Sequence, residues 1–186
     1  MPIDLIAFTG LAGSGKTTAA KALVHFHGYS RISFADPIRR MLMAIGLTAE
    51  DMADRKEVPH ALIGFNTPRV AMQTLGTEWG RRTICDDLWL KIARRDIEQA
   101  RAFPDFAGIV IDDCRFDNEA ELIRSLGGVV VKVERGGQVA MANGHASEVG
   151  VNPALIDRVI TAADHDVNGL SKMAVELVEF WEREMI

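Results

Sequence analysis

The stretch Gly10-Leu11-Ala12-Gly13-Ser14-Gly15-Lys16-Thr17 meets the pattern G-x-x-x-x-G-K-[ST] at every fixed position. It follows a short, nearly continuous apolar run, Ile3–Phe8, and precedes a segment, Lys16–His27, whose Ala19, Ala20, Ala22, Leu23 and Phe26 can share one helical face. A glycine-rich turn between strand and helix is built to hold phosphate. The glycines let the backbone curl so that successive N–H groups point inward, and the helix N-terminus adds partial positive charge. Gly10, Ala12, Gly13, Ser14, Gly15, Lys16, Thr17 and Thr18 are therefore the expected ATP-binding residues. Lys16 would reach the β- and γ-phosphates and the Thr17 hydroxyl would ligate Mg²⁺. A glycine-rich turn without ligand would need no strand before it and no helix after it, and both are present.

The rest of the chain repeats the alternation. Apolar runs at Tyr29–Phe34, Gly108–Ile111, Val129–Val133 and Arg158–Thr161 read as strands. Helices are expected over Asp36–Ile45, Thr48–Lys56, Thr67 to about Arg82, Asp86–Phe103, Asn118–Leu126 and Leu170–Met185. Asp36-Pro37 and Thr67-Pro68 both read as an N-cap followed by proline in the first turn, and Thr48 with Asp51 as a capping box. Such alternation predicts an α/β fold, a three-layer α/β/α P-loop architecture around a mostly parallel sheet, in one domain over residues 1–186. Ligands in such folds sit beyond the carboxyl ends of the strands, here after Phe8, Phe34, Ile111 and Val133.

Carboxylates and arginines cluster at those points. Asp112 and Asp113 follow the run Gly108–Ile111 and are candidates for the Mg²⁺ side; Asp36 is a rival, with a plain helix cap as its structural alternative. Transfer between phosphates concentrates negative charge, which arginine forks neutralise best. Arg39, Arg69, Arg81, Arg82, Arg115 and Arg135 are the candidates, whereas Arg94, Arg95 and Arg101 read as solvated charges on an amphipathic helix. An anionic phosphate acceptor needs no strong base. Accordingly no Ser/His/Asp triad is discernible, and the five histidines have no metal-ligand spacing. Cys85 and Cys114 read as reduced, partly buried thiols.

Charge narrows the partners. Lys and Arg number 21 against 26 Asp and Glu, a net charge of −5, which argues against non-specific binding to a nucleic acid polymer. Met1–Phe8 has no basic segment of the secretory kind, and no run approaches the roughly 18 apolar residues of a membrane span, so a cytoplasmic protein without a membrane partner is expected. A homodimer is compatible with all of this. There is no N-K-x-D motif of a GTPase, and Asp113, not glutamate, follows Asp112, which speaks against a transporter-type ATPase.

The chain resembles the phage-type deoxynucleoside monophosphate kinases, a branch of the P-loop kinases. Beyond Gly10–Thr17, the resemblance rests on Ser33-Phe34-Ala35-Asp36-Pro37-Ile38-Arg39, on Thr67-Pro68-Arg69 with Gln73-Thr74-Leu75-Gly76-Thr77-Glu78, on Asp112-Asp113-Cys114-Arg115-Phe116 with Asn118-Glu119, and on His145-Ala146-Ser147-Glu148. It implies transfer of the ATP γ-phosphoryl group to a deoxynucleoside monophosphate, with Mg²⁺. It also implies an acceptor-binding helical region at about 36–86 and a lid at about 135–148. By the resemblance, Asp36, Arg69, Gln73, Trp79 and Arg115 would bind the acceptor, and Lys16, Arg115, Arg135 and Asp36 would carry catalysis. The lid has Arg135 as its only arginine, so core arginines would carry more of the charge. Trp79 and Trp89 could close off room for a 2′-hydroxyl or simply fill the core, and packing is the commoner use of tryptophan. A P-loop kinase with another small acceptor, such as dephospho-coenzyme A, a sugar acid or phosphomevalonate, shares all the donor features.

Overall fold

The computed structural model describes residues 3–103, 105–137 and 150–184. Its centre is a sheet of five parallel strands: β1 (Leu5–Thr9), β2 (Ser30–Ile32), β3 (Ile109–Ile111), β4 (Val129–Arg135) and β5 (Arg158–Ala162), in the order β2-β3-β1-β4-β5. β1 pairs on one side with β3, Leu5 opposite Ile109, and on the other with β4, Ala7 opposite Val130. β1 and β3 are fully buried, as the unbroken apolar runs require of strands covered on both faces.

Among the described residues, six α-helices accompany the sheet: α1 (Lys16–His27), α2 (Asp36–Ala44), α3 (Pro68–Gln73), α4 (Leu88–Arg101), α5 (Asp117–Ser125) and α6 (Val167–Glu184). Alternate residues of a strand point to opposite faces. Ile6 and Phe8 of β1, with Val110, Val131, Val133 and Ile160, meet Ala19, Ala20, Leu23 of α1 and Leu170, Ala174, Leu177 of α6. α5 packs against β1 and β4, and a Cβ at Gly128, just before β4, would lie 2.7 Å from the Leu5 side chain and 2.9 Å from Ile123. This is the expected α/β architecture. No helix among the described residues is long and apolar enough to cross a membrane.

The chain divides into two compact units, Met1–Ser33 with Arg94–Ile186, and Phe34–Ala93. The first holds the sheet. The second is helical, and its core gathers Ile38, Leu42, Leu47, Met52 and Trp89. Here the structure corrects several expectations. Residues 49–57 form consecutive turns, not a helix. The capping pair is nonetheless made: the Thr48 N–H and hydroxyl donate to the Asp51 carboxylate at 2.8 and 2.6 Å, and the Asp51 N–H donates to the Thr48 hydroxyl at 3.2 Å. The Thr48 hydrogen bonds hold the Asp51 carboxyl below its usual range.

The expected helix from Thr67 to Arg82 is two structures. α3 ends at Gln73, and Thr74–Ile84 continues as a π-helix. The reason lies in Trp89. Its indole N–H donates to the Gly76 carbonyl at 2.7 Å, and a Cβ at Gly80 would sit 2.3 Å from its ring. The wider π turn and two glycines let the backbone close around one buried indole. Trp79 lies beside it, ring centroids 6.4 Å apart, but is 38% exposed. The packing expectation therefore holds for Trp89 and not for Trp79. Arg101 also departs from expectation: it is half-buried and bonds Asp4 at 2.7 Å and the Leu126 carbonyl at 3.0 Å.

Candidate functional site

The loop after β1 carries the strongest geometry. Gly10, Gly13 and Gly15 have φ of 132°, 77° and 103°, values that L side chains adopt rarely. Space enforces the same choice. A Cβ at Gly10 would lie 2.3 Å from the Val133 carbonyl oxygen, and one at Gly15 would lie 2.3 Å from a Leu170 methyl carbon. The loop is thus pressed against β4 and α6, and α1 begins directly behind it with no side-chain cap at Gly15. Its first N–H groups remain for an anion. The Ser14 hydroxyl oxygen is buried without a hydrogen-bond partner among the described residues. A phosphate oxygen would suit it. Ala12 and Thr17 are exposed and Thr18 half-buried.

Lys16 bends back over this loop. Its ammonium donates to the carbonyls of Gly10 at 2.8 Å and Leu11 at 2.7 Å. Burial lowers its pKa to about 8. The Arg115 cation pushes in the same direction, and the Asp112 and Asp113 carboxylates oppose it. Lys16, Arg115, Asp112 and Asp113 therefore form one electrostatic group at the carboxyl ends of β1 and β3, as the sequence led one to expect.

Each aspartate has a fixed partner that sequence reading missed. Arg31, on β2 opposite Val110 of β3, donates to Asp112 Oδ1 through Nε at 3.0 Å and through a terminal nitrogen at 2.8 Å. The Asp112 side chain is only 3% exposed, and Arg31 pairs with it there while the Lys16 ammonium acts on it from the loop. Ser33 donates its hydroxyl to Asp113 Oδ2 at 2.5 Å. The β2–β3 register brings these pairs together; a parallel pairing 80 residues apart leaves no trace in local sequence.

Arg115 is exposed, yet its backbone is held. The buried Glu119 carboxylate accepts from the N–H groups of Arg115 at 2.8 Å and Phe116 at 3.2 Å, closing the N-terminus of α5. The thiol of Cys114 between these motifs is buried, and desolvation raises its pKa well above the ordinary value, so it stays protonated. Arg135 closes β4, with Asp164 3.1 Å from its Nε. Of the expected lid at about 135–148, residues 138–148, including His145-Ala146-Ser147-Glu148, lie outside the described residues.

Of the expected acceptor residues, Arg115 lies in the unit that holds the sheet, and Asp36, Arg69, Gln73 and Trp79 lie in the helical unit. Asp36 is not a cap. Ala35 holds that position, Asp36 is the first residue of α2, and its carboxylate accepts from Arg39 at 2.8 Å. Thr67 is a cap, accepting from the Val70 N–H at 3.3 Å. Arg69 follows in the first turn of α3, its N–H bonded to the Lys56 carbonyl at 2.9 Å and its side chain ion-paired with Glu57. Gln73, at the end of α3, is exposed. Among the described residues no three His, Cys, Asp or Glu side chains assemble a preformed metal site.

The chain is 33% identical over 160 residues to a protein of Acanthamoeba polyphaga mimivirus provisionally named deoxynucleotide monophosphate kinase, covering 78% of this chain and 80% of that one. It is 26% identical, over 97% of both chains, to the deoxynucleoside-5′-monophosphate kinase of Escherichia phage T5. Among solved structures, TT1252 from Thermus thermophilus shares the fold with a TM-score of 0.54 at 17% identity, covering 96% of this chain and 97% of that chain. Residues 65–173, from the helical unit through α5 and the strands after it, match the deoxynucleotide monophosphate kinase family, and the chain belongs to that family.

Proposed function

We infer that this phosphotransferase moves the γ-phosphoryl group of ATP to a deoxynucleoside monophosphate, giving ADP and the deoxynucleoside diphosphate. The observation that carries the reading is the burial of the Lys16 ammonium over a glycine loop at a helix N-terminus, within the field of Arg115, Asp112 and Asp113. That is a site for a triphosphate whose terminal group is to be handed on.

Gly10, Ala12, Gly13, Ser14, Gly15, Thr17 and Thr18 would cradle the triphosphate. Lys16 would exchange its two carbonyl partners for β- and γ-phosphate oxygens. Bound Mg²⁺ would supply charge neutralisation between those phosphates, held by Thr17 and, directly or through water, by Asp112 or Asp113; Mg²⁺ asks for only one or two carboxylates beside phosphate oxygens, which fits a site without a preformed cluster. In the helical unit, Asp36, Arg69, Gln73 and Trp79 would receive the acceptor. An acceptor phosphate oxygen attacks the γ-phosphorus as the bond to the β–γ bridging oxygen breaks, and the electron pair leaves with ADP. No proton must be removed from an anionic oxygen, so positioning and the cations Lys16, Arg115 and Arg135 carry the rate.

The test is ADP release from ATP–Mg²⁺ over a panel of deoxynucleoside monophosphates, their ribose counterparts and non-nucleotide phosphate acceptors. Turnover with one or more deoxynucleotides is expected. Silence on every nucleotide with turnover on another acceptor would keep the P-loop kinase and remove the acceptor assignment.

A further inference from the structure

One side chain in the helical unit is held where its chemistry disfavours it. Phe65 has φ of 61°, in the left-handed region that a bulky side chain rarely enters. It is also 74% exposed. Neither property comes from looseness. Gly64, at φ 66°, and Phe65 are the central residues of a turn closed by the Asn66 N–H on the Ile63 carbonyl at 3.3 Å. A turn with both central residues at positive φ calls for glycine or asparagine at those places. The turn is also braced from three sides. The Phe65 N–H donates to the His60 carbonyl at 3.1 Å, the His60 N–H donates to the Asn66 carbonyl at 3.0 Å, and the Asn66 side chain donates to the Ile63 carbonyl at 3.1 Å. A strained residue that its surroundings over-determine is a mark of function.

The same segment carries the expected phosphate ligand of the acceptor. The Arg69 N–H is bonded to the Lys56 carbonyl at 2.9 Å, so residues 56–60 run beside residues 66–69, with Phe65 at one end and Arg69 at the other. Four residues span at most about 14 Å, so the Phe65 and Arg69 backbones lie within the reach of one nucleoside monophosphate, whose phosphate would take the place of Glu57 on Arg69. Leu62 and Val58, 54% and 53% exposed, add apolar surface in the same segment. We propose that Phe65 is the specificity-determining platform on which the base of the acceptor nucleotide stacks while Arg69 holds its phosphate. The proposal rests on the acceptor assignment above. Stacking reads the face of a base and not its edge, so Phe65 would admit several bases and leave choice among them to polar side chains such as Gln73.

The test uses Phe65→Gly and Phe65→Trp in the full chain, with Arg69→Ala as reference. Glycine suits the turn better, so Phe65→Gly is expected to melt at or above the wild-type temperature. Its acceptor KM should nevertheless rise about tenfold or more, with the ATP KM unchanged, as loss of a stacked aromatic predicts. Phe65→Trp should restore the acceptor KM. An unchanged acceptor KM in Phe65→Gly, while Arg69→Ala raises it, would overturn the stacking role and leave the kinase reading standing. So would sedimentation showing that Phe65→Gly splits a dimer with the KM intact, since the occupant would then be a second copy. Absence of phosphorylation of any nucleotide by the wild type would instead remove the underlying reading, and this proposal with it.

Discussion

The lowered pKa of Lys16 makes nucleotide affinity depend on pH in a direction that can be worked out. The free protein holds this ammonium buried beside Arg115 and titrates it near pH 8, against an ordinary value of 10.5. Triphosphate oxygens restore the charged form, so binding above pH 8 must take up a proton. If the bound pKa returns to its ordinary value, the affinity falls about twofold between pH 7 and 8 and about tenfold between pH 7 and 9. Stability moves the opposite way. The unfolded chain keeps the proton to pH 10.5, so the penalty for a charged Lys16 is fully present below pH 8 and disappears as pH rises from 8 towards 10.5. By itself it amounts to about 3 kcal/mol, set against two hydrogen bonds from the charged ammonium to carbonyls worth about 1.5–3 kcal/mol each. Calorimetric titration of ATP–Mg²⁺ in two buffers of different ionisation enthalpy measures both the affinity and the proton uptake. Lys16→Met should bind weakly with a flat profile over this range. A flat profile in the wild type, or the same slope in Lys16→Met, would refute the argument.

Much of this was legible in the sequence because the signals are local. The turn glycines of Gly10–Thr17 and the apolar runs that became β1, β3 and β4 announce strand, loop and helix within a few residues of each other. Asp112, Asp113 and Arg115 follow the carboxyl end of β3, as the apolar run Gly108–Ile111 implied, because a strand end fixes where its next residues lie. What stayed hidden depends on partners distant in the chain. Arg31 and Ser33 reach the aspartates only through the pairing of β2 with β3. The break between α3 and the π-helix is set by Trp89, an indole that lies beyond the segment it reshapes. Asp36 was misread because aspartate before proline looks like a cap whether the helix starts at it or one residue earlier. Glu119 was visible only as part of the family resemblance, although F-D-N-E before an apolar stretch carries glutamate at the third helical position, where a capping carboxylate belongs. Phe65 gave no sign at all, since nothing in G-F-N says that phenylalanine takes the second positive φ.

Three further outcomes test the remaining structure. Arg69→Ala should raise the acceptor KM about ten- to a hundredfold, the effect of a charged hydrogen bond worth about 1.5–3 kcal/mol, and steady-state kinetics should show the ATP KM unmoved. Arg31→Met removes the directly paired cation from a carboxylate only 3% exposed; because Lys16 still acts on Asp112, the loss should be about 1–3 kcal/mol by urea denaturation, and a double change with Asp112→Asn should recover most of it. Gly80→Ala tests the π-helix most directly. Alanine is the better helix former and would stabilise an ordinary helix by about 1 kcal/mol. Here its methyl would meet the Trp89 ring at 2.3 Å, and Trp89 cannot retreat without breaking its bond to the Gly76 carbonyl. Thermal denaturation should therefore show destabilisation of about 1–3 kcal/mol, the usual cost of overpacking, and a stabilised Gly80→Ala would mean that the π turn is not shaped around this indole.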